Sequence, residues 1–199
     1  MARIRVEKVD PIMRFNPVAV LLGVLLLSGC GDPVSFSAPV GINIKAKAAD
    51  TTNGVISQDK SISTESGNPY GAFINEARAK LEGKDPASIE IASLTLLLGA
   101  QSTGVTKLEQ VFTGNVEVFF VMNDTNNSYA VGNIKDPEGS GPLELDVTFD
   151  SDKIVGEDRT RLLNGSFEAA IRGPAAAGFT SPNAAEASLQ LTFTFEAYE

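Results

Sequence analysis

Proton transfer near neutral pH most often uses an imidazole, and this chain of 199 residues contains no histidine. Ser-His-Asp and Cys-His relays are thereby excluded, as are the usual zinc ligand sets. Carboxylates, hydroxyls and one thiol remain. Asp150, Asp152, Glu157 and Asp158 crowd a short stretch, and paired acids of this kind can support glycoside hydrolysis, one as acid and the other as base or nucleophile. No aromatic sugar platform accompanies them, and a solvated turn accounts for acids spaced this way. Asp150 and Asp152, with a neighbouring carbonyl, also make a loose calcium candidate, because calcium takes oxygen ligands. A chain this poor in catalytic groups is expected not to be an enzyme and to need no cofactor.

Two further motifs fail on their surroundings. Ser57-Gln58-Asp59-Lys60 fits the bare S-x-x-K pattern of penicillin-recognising enzymes, whose serine is the nucleophile. In those families the motif opens a helix and is accompanied by S-D-N and K-T-G elements. Here it lies in a polar segment without either companion. Asp124, Asn126 and Ser128 resemble the first half of an EF-hand loop, yet Tyr129 stands where glycine is required and Lys135 where the bidentate glutamate belongs. Gly139-Ser140-Gly141-Pro142 reads as a plain turn, since it opens no helix that would cradle a phosphate.

The thiol is different. Cys30 is the sole cysteine, and Leu27-Ser28-Gly29-Cys30 follows the aliphatic run Val18 to Leu27. This tetrapeptide resembles the lipobox of bacterial lipoproteins. The resemblance implies cleavage after Gly29 and a lipidated, palmitate-bearing Cys30 as the first mature residue. Ten apolar residues match the h-region of a signal peptide and fall short of the roughly 20 that a spanning helix needs. Glu7 and Asp10 are foreign to a positively charged n-region, so translation is expected to start at Met13. Residues 1–29 then form the signal peptide and 30–33 a short tether. By resemblance to the sorting rule of enteric bacteria, Gly31 directly after the cysteine implies the outer membrane. Either its periplasmic face or the cell surface is compatible with the sequence.

Removing residues 1–29 takes away Arg3, Arg5, Lys8 and Arg14 against Glu7 and Asp10. Twelve basic and 23 acidic residues are left, a net charge of −11. Nucleic acid and anionic headgroups repel such a surface. No cysteine remains for a disulfide, and 170 residues suffice to bury a core without one.

The elements that must position any site follow from periodicity. Val34, Phe36, Ala38, Val40, Ile42 and Ile44 alternate with small or polar residues, which predicts a strand with one buried face. Residues 49–67 read as a polar loop with a weak edge strand at 55–62. Asn68 as N-cap and Pro69 at the first helical position open a helix predicted over 69–82, with Tyr70, Phe73, Ile74, Ala77 and Leu81 on one face and Gly83 as its left-handed terminator. Residues 116–122 and 129–134 flank a turn cluster and predict a hairpin. Leu143, Leu145, Val147 and Phe149 alternate as one strand, 157–164 fits a short second helix, and Phe167, Ala169 and Ile171 give another strand. Leu189, Leu191, Phe193 and Phe195 give the clearest alternation.

Seven or so antiparallel strands predict a mainly β chain: one antiparallel β-sandwich domain over 34–199, immunoglobulin-like in architecture but without the Cys-Trp-Cys hallmark. The absence of tryptophan argues against a membrane barrel with aromatic girdles. The expected role is a non-catalytic, lipid-anchored binding or assembly module of the cell envelope. It would meet a protein or glycan through an exposed sheet edge or through the loops 99–107, 123–128 and 172–186. Phe179, in an Ala/Gly/Pro-rich loop, is a candidate for a protruding contact, although a ring in such a loop is rather expected to tuck back over the end of the sandwich. The alternative role is a carrier holding a small apolar ligand among Phe73, Leu81, Phe119 and Phe193.

Overall fold

Strand β1 (Val34–Lys47) realises the first alternation: Val40, Ile42, Ile44 and Ala46 are buried while the residues between them face outward. The structure is a computed structural model and describes residues 34–65, 67–180 and 185–199. All of these belong to the unit Asp32–Glu199. The strands that follow are β2 (Val55–Ile62), β3 (Ser88–Leu98), β4 (Asn115–Met122), β5 (Ser128–Lys135), β6 (Leu143–Glu144), β7 (Asp146–Val147), β8 (Phe167–Pro174) and β9 (Glu186–Tyr198). Helices α1 (Pro69–Lys80) and α2 (Gly156–Asn164) interrupt them.

Two antiparallel sheets pack face to face. Their strand orders are β1-β9-β3-β6 and β2-β8-β4-β5-β7. The chain is mainly β and a sandwich, as its alternating pattern predicts. The strand order is not the ABED/CFG arrangement of immunoglobulin constant domains, where the first strand lies beside the second. Here β1 pairs along its length with β9, from Val34 opposite Tyr198 to Lys47 opposite Glu186.

The single strand expected over Leu143–Phe149 is two. Leu143 and Glu144 pair with β3, whereas Asp146 and Val147 pair with β5 in the other sheet. Leu145 is the crossing residue; its N–H bonds to the Leu94 carbonyl and its side chain is buried. Alternation alone cannot reveal such a switch, because both sheets present their inner faces to one core.

That core is aromatic. Phe120 of β4 meets Phe193 and Phe195 of β9 across the sheets, at centroid separations of 5.5 and 6.2 Å, and packs on Phe167 of β8 in its own sheet at 4.7 Å. Helix α1 closes one end. Its Tyr70 stands edge-on to Phe167 at 5.1 Å and to Phe195 at 5.3 Å, one ring from each sheet. Edge-to-face contact suits the ring quadrupoles. The Tyr70 hydroxyl donates to the Leu162 carbonyl of α2 at 2.9 Å, and burial pushes its ionisation far above the ordinary phenol range.

Asn68 caps α1 through a bond from the Tyr70 N–H at 3.0 Å. At the other terminus Gly83, at φ 87°, is left-handed and donates to the Arg78 carbonyl at 2.8 Å, and Glu82 before it, at φ 55°, is left-handed too. A β-carbon in that conformation costs roughly 1–2 kcal/mol. Glu82→Gly is therefore expected to stabilise the protein, by about 1 kcal/mol once glycine's extra unfolded-state entropy is set against the gain. Equal urea midpoints for the two proteins would contradict this.

Candidate functional site

The antiparallel register sorts every loop to one of two ends. Val34, Ser88 and Tyr198 share one end, as do Ile62, Phe167, Met122 and Ser128 through their own pairings. Lys47, Leu98, Pro174 and Lys135 lie at the far end. The three loops expected to offer contacts therefore lie at two ends. Thr103 of segment 99–107 meets Glu186 at the far end, while 123–128 lies at the Val34 end.

The far end is a laced platform. Thr103 and Glu186 exchange backbone bonds at 2.8 and 3.0 Å, Ala176 donates to the Val111 carbonyl, and Leu108 donates to the Gly139 carbonyl at 2.7 Å. The Gly139 N–H in turn reaches Glu109 Oε2 at 2.7 Å. Donation from the backbone, first from Glu109's own N–H and then from Gly139, outweighs desolvation and holds the Glu109 carboxyl below the usual carboxylate range, with Lys107 assisting. Gln110 Oε1 accepts from the Thr106 and Lys107 N–H groups. Under this lattice Val105, Leu108, Val111, Phe112 and Phe179 are buried. Gln101, Thr103, Lys107, Gln110, Asp136 and Glu138 are exposed above it. The arrangement offers ordered hydrogen-bonding groups of both charges, suited to recognising a protein or glycan surface.

Phe179 is thus no protruding contact. It is 0% exposed, because the turn from Ala176 to Phe179, closed by a 2.9 Å backbone bond, folds the ring under the loops. Phe119 also leaves the set expected to line an apolar cavity. Val116, Val118, Phe120 and Met122 claim the inner face of β4, so Phe119 points outward beside Ala130 and Ala170. Phe73, Leu81 and Phe193 are core.

The acids do not gather into a calcium site. Asp150 Oδ2 pairs with Lys153 Nζ at 3.0 Å, and its Oδ1 accepts from the Asp152 N–H as the cap of a short turn. An ammonium already occupies the position a cation would take. Among the described residues no group of three His, Cys, Asp or Glu side chains is placed to hold a metal. Ser57 and Lys60 fall on opposite faces of β2, since three positions along a strand reverse the side chain. They cannot act as a nucleophile and its base. Ser151 Oγ does donate to Glu90 Oε1, but Ser151 is buried and closed to a substrate.

The Val34 end holds a polar cluster that residue spacing alone does not reveal. Asp158, in the first turn of α2, is 3% exposed. It accepts from Thr125 Oγ1, Asn127 Nδ2 and the Tyr129 hydroxyl, each at 2.7 Å, with Arg161 Nη1 at 3.8 Å. Burial works against its ionisation, yet these donors prevail and keep its carboxyl below the ordinary range. The same bond, with burial, raises the Tyr129 phenol. An acid in the first helical turn ordinarily reads as a solvated partner of the helix dipole. The run of donors in 123–129 is the signal that could have marked it. Its chemistry is structural: one carboxylate pins the β4–β5 turn to α2.

Gly29 and Cys30 lie outside the described residues. No helix among the described residues is long and apolar enough to cross a membrane. No family model, curated protein or solved structure matches the chain.

Proposed function

We propose that the chain is a lipid-anchored, non-catalytic binding or assembly module of the bacterial outer membrane, held by acylated Cys30. The observation that carries this reading is the continuity of β1. A lipobox-like cysteine is followed by Gly31, Asp32 and Pro33, which reach about 10 Å at most, and then directly by a strand of 14 residues leading to the far-end platform. At about 3.3 Å per residue such a strand carries the platform roughly 45 Å along its own axis from the tether. One continuous strand thus separates Val34 from the recognition surface. Among the described residues, ordered polar loops with no nucleophile beside an accessible base favour recognition over turnover.

Cys30→Ala tests the anchor. Cells grown with an alkyne-tagged fatty acid should label the wild-type protein and not the variant, and the variant should leave the membrane fraction for the soluble one. An unlabelled wild-type protein, or a variant that stays membrane-bound, would remove this reading. Protease treatment of intact cells then separates the two faces: digestion places the domain on the surface, and protection until permeabilisation places it in the periplasm.

A further inference from the structure

One long side of the sandwich is open, and its hydrogen-bonding capacity can be worked out residue by residue. Ala48 donates to the Ala185 carbonyl, which makes that pair hydrogen-bonded in the β1–β9 register. Hydrogen-bonded and non-bonded pairs alternate in an antiparallel ladder. The even residues of β1 therefore bond to β9, and the odd ones turn their N–H and C=O groups away from the sheet. Pro39 is an odd residue, the position where an edge strand loses nothing by lacking an N–H.

Past Pro39 the edge is open at Gly41, Asn43, Lys45 and Lys47. The neighbouring edge strand β2 is guarded differently. Its inner face carries Ile56 and Ile62, but at the same alternation Lys60 extends out to solvent. A charge at an inward-facing position of an edge strand is a recognised guard against random pairing. Pro39 and Lys60 thus close part of this side and leave one unguarded stretch. A groove of about 530 Å³ crosses it, lined in part by Asn43, Lys45, Asp59, Lys60 and Gln101.

Its charge runs against that of the molecule. Lys45 pairs with Glu186 at 2.9 Å, and Asp59 lies near, but Lys47 and Lys60 have no ion-pair partner among the described residues. An otherwise acidic domain thus presents lysines along the free edge of β1. We infer that the β1 edge from Gly41 to Lys47 is a strand-addition site for an extended, acidic segment of a partner protein. Main-chain bonds to the odd residues supply affinity, and Lys47 and Lys60 select acidic side chains. Self-pairing of two copies would bring the lysines of both edges together, which disfavours a second copy as the occupant. The inference rests on reading the domain as a binding module and does not depend on lipidation.

The test is amide exchange by NMR on the full chain in detergent micelles, with a peptide of alternating threonine and glutamate as probe. At a peptide concentration roughly ten times its Kd, the Gly41, Asn43 and Lys45 amides should exchange about tenfold more slowly, while those of β2 and the far-end loops stay unchanged. Asn43→Pro removes one outward N–H without touching the β9 ladder, as Pro39 already does, so it should fold normally and lose the protection. A threonine–lysine peptide should leave exchange unaltered. No protection by the acidic peptide, equal protection by the basic one, or protection that survives in Asn43→Pro would each overturn the inference. So would protection of the same amides that rises with protein concentration alone, which would assign the edge to a second copy. None of these outcomes alters fatty-acid labelling at Cys30, so failure here and failure of the anchored reading are told apart.

Discussion

Phe120→Ala is expected to lower the unfolding free energy by about 3–5 kcal/mol, the usual cost of emptying a large aromatic site in a core. Phe120 is fully buried and packs on Phe149, Phe167, Phe193 and Phe195, so both sheets lose a contact at once. Domains of this size have only about 5–15 kcal/mol of net stability, and the variant should melt far below the wild type. Phe119→Ala is the matched control. Its ring lies half-buried on the outer face, and its loss should cost about 1 kcal/mol or less. Urea unfolding of the pair reads the orientation of β4 directly. A costlier Phe119→Ala would mean that the strand is turned by one residue.

Asp158→Ala should destabilise by roughly 3 kcal/mol, in the range for removing one member of a buried, hydrogen-bonded charge pair. Thr125, Asn127 and Tyr129 would lose their acceptor together, and a partly buried donor left without a partner carries its desolvation cost. The pH dependence has a definite sign. The folded carboxyl titrates below its ordinary value, so its contribution is fully present above the unfolded value of about 3.9 and is lost as pH falls through the lower folded value. The stability gap between wild type and Asp158→Ala should be complete at neutral pH and close progressively below about pH 4. A gap that does not depend on pH would show that the ionised carboxylate is not the acceptor that matters.

How far the fold could be read from residues depends on what each signal reports. Period-two runs such as Leu189–Phe195 name a buried face, and β1, β8 and β9 were legible that way, while β4 and β5 were read from the turn cluster between them. Asn68-Pro69 fixed the start of α1 because a cap and a proline act locally. The crossing at Leu145 was hidden, since a residue that passes from one sheet to the other still points at the same core. Among the adjacent pair Phe119 and Phe120, composition cannot choose the inner ring; the register of Val116, Val118 and Met122 does. Glu82 at the end of α1 shows a similar limit: Gly83 is left-handed, and no local spacing marks the residue before it as left-handed too. The far-end platform and the Asp158 cluster are assembled from segments 30 to 80 residues apart, and such meetings leave no trace in local spacing. The open β1 edge announced itself only through Pro39, which becomes informative once the ladder is known.

The place of β9 sets the order in which the molecule can be made. β9 lies between β1 and β3, although it follows both of them in the chain. β1 and β3 therefore have no partner in the middle of their sheet until residues 186–198 have been synthesised. Contacts that span most of a chain are slow to form, because loop closure has to precede them. β9 joins β1 and β3 together, so closure of this sheet is timed by the arrival of its central strand.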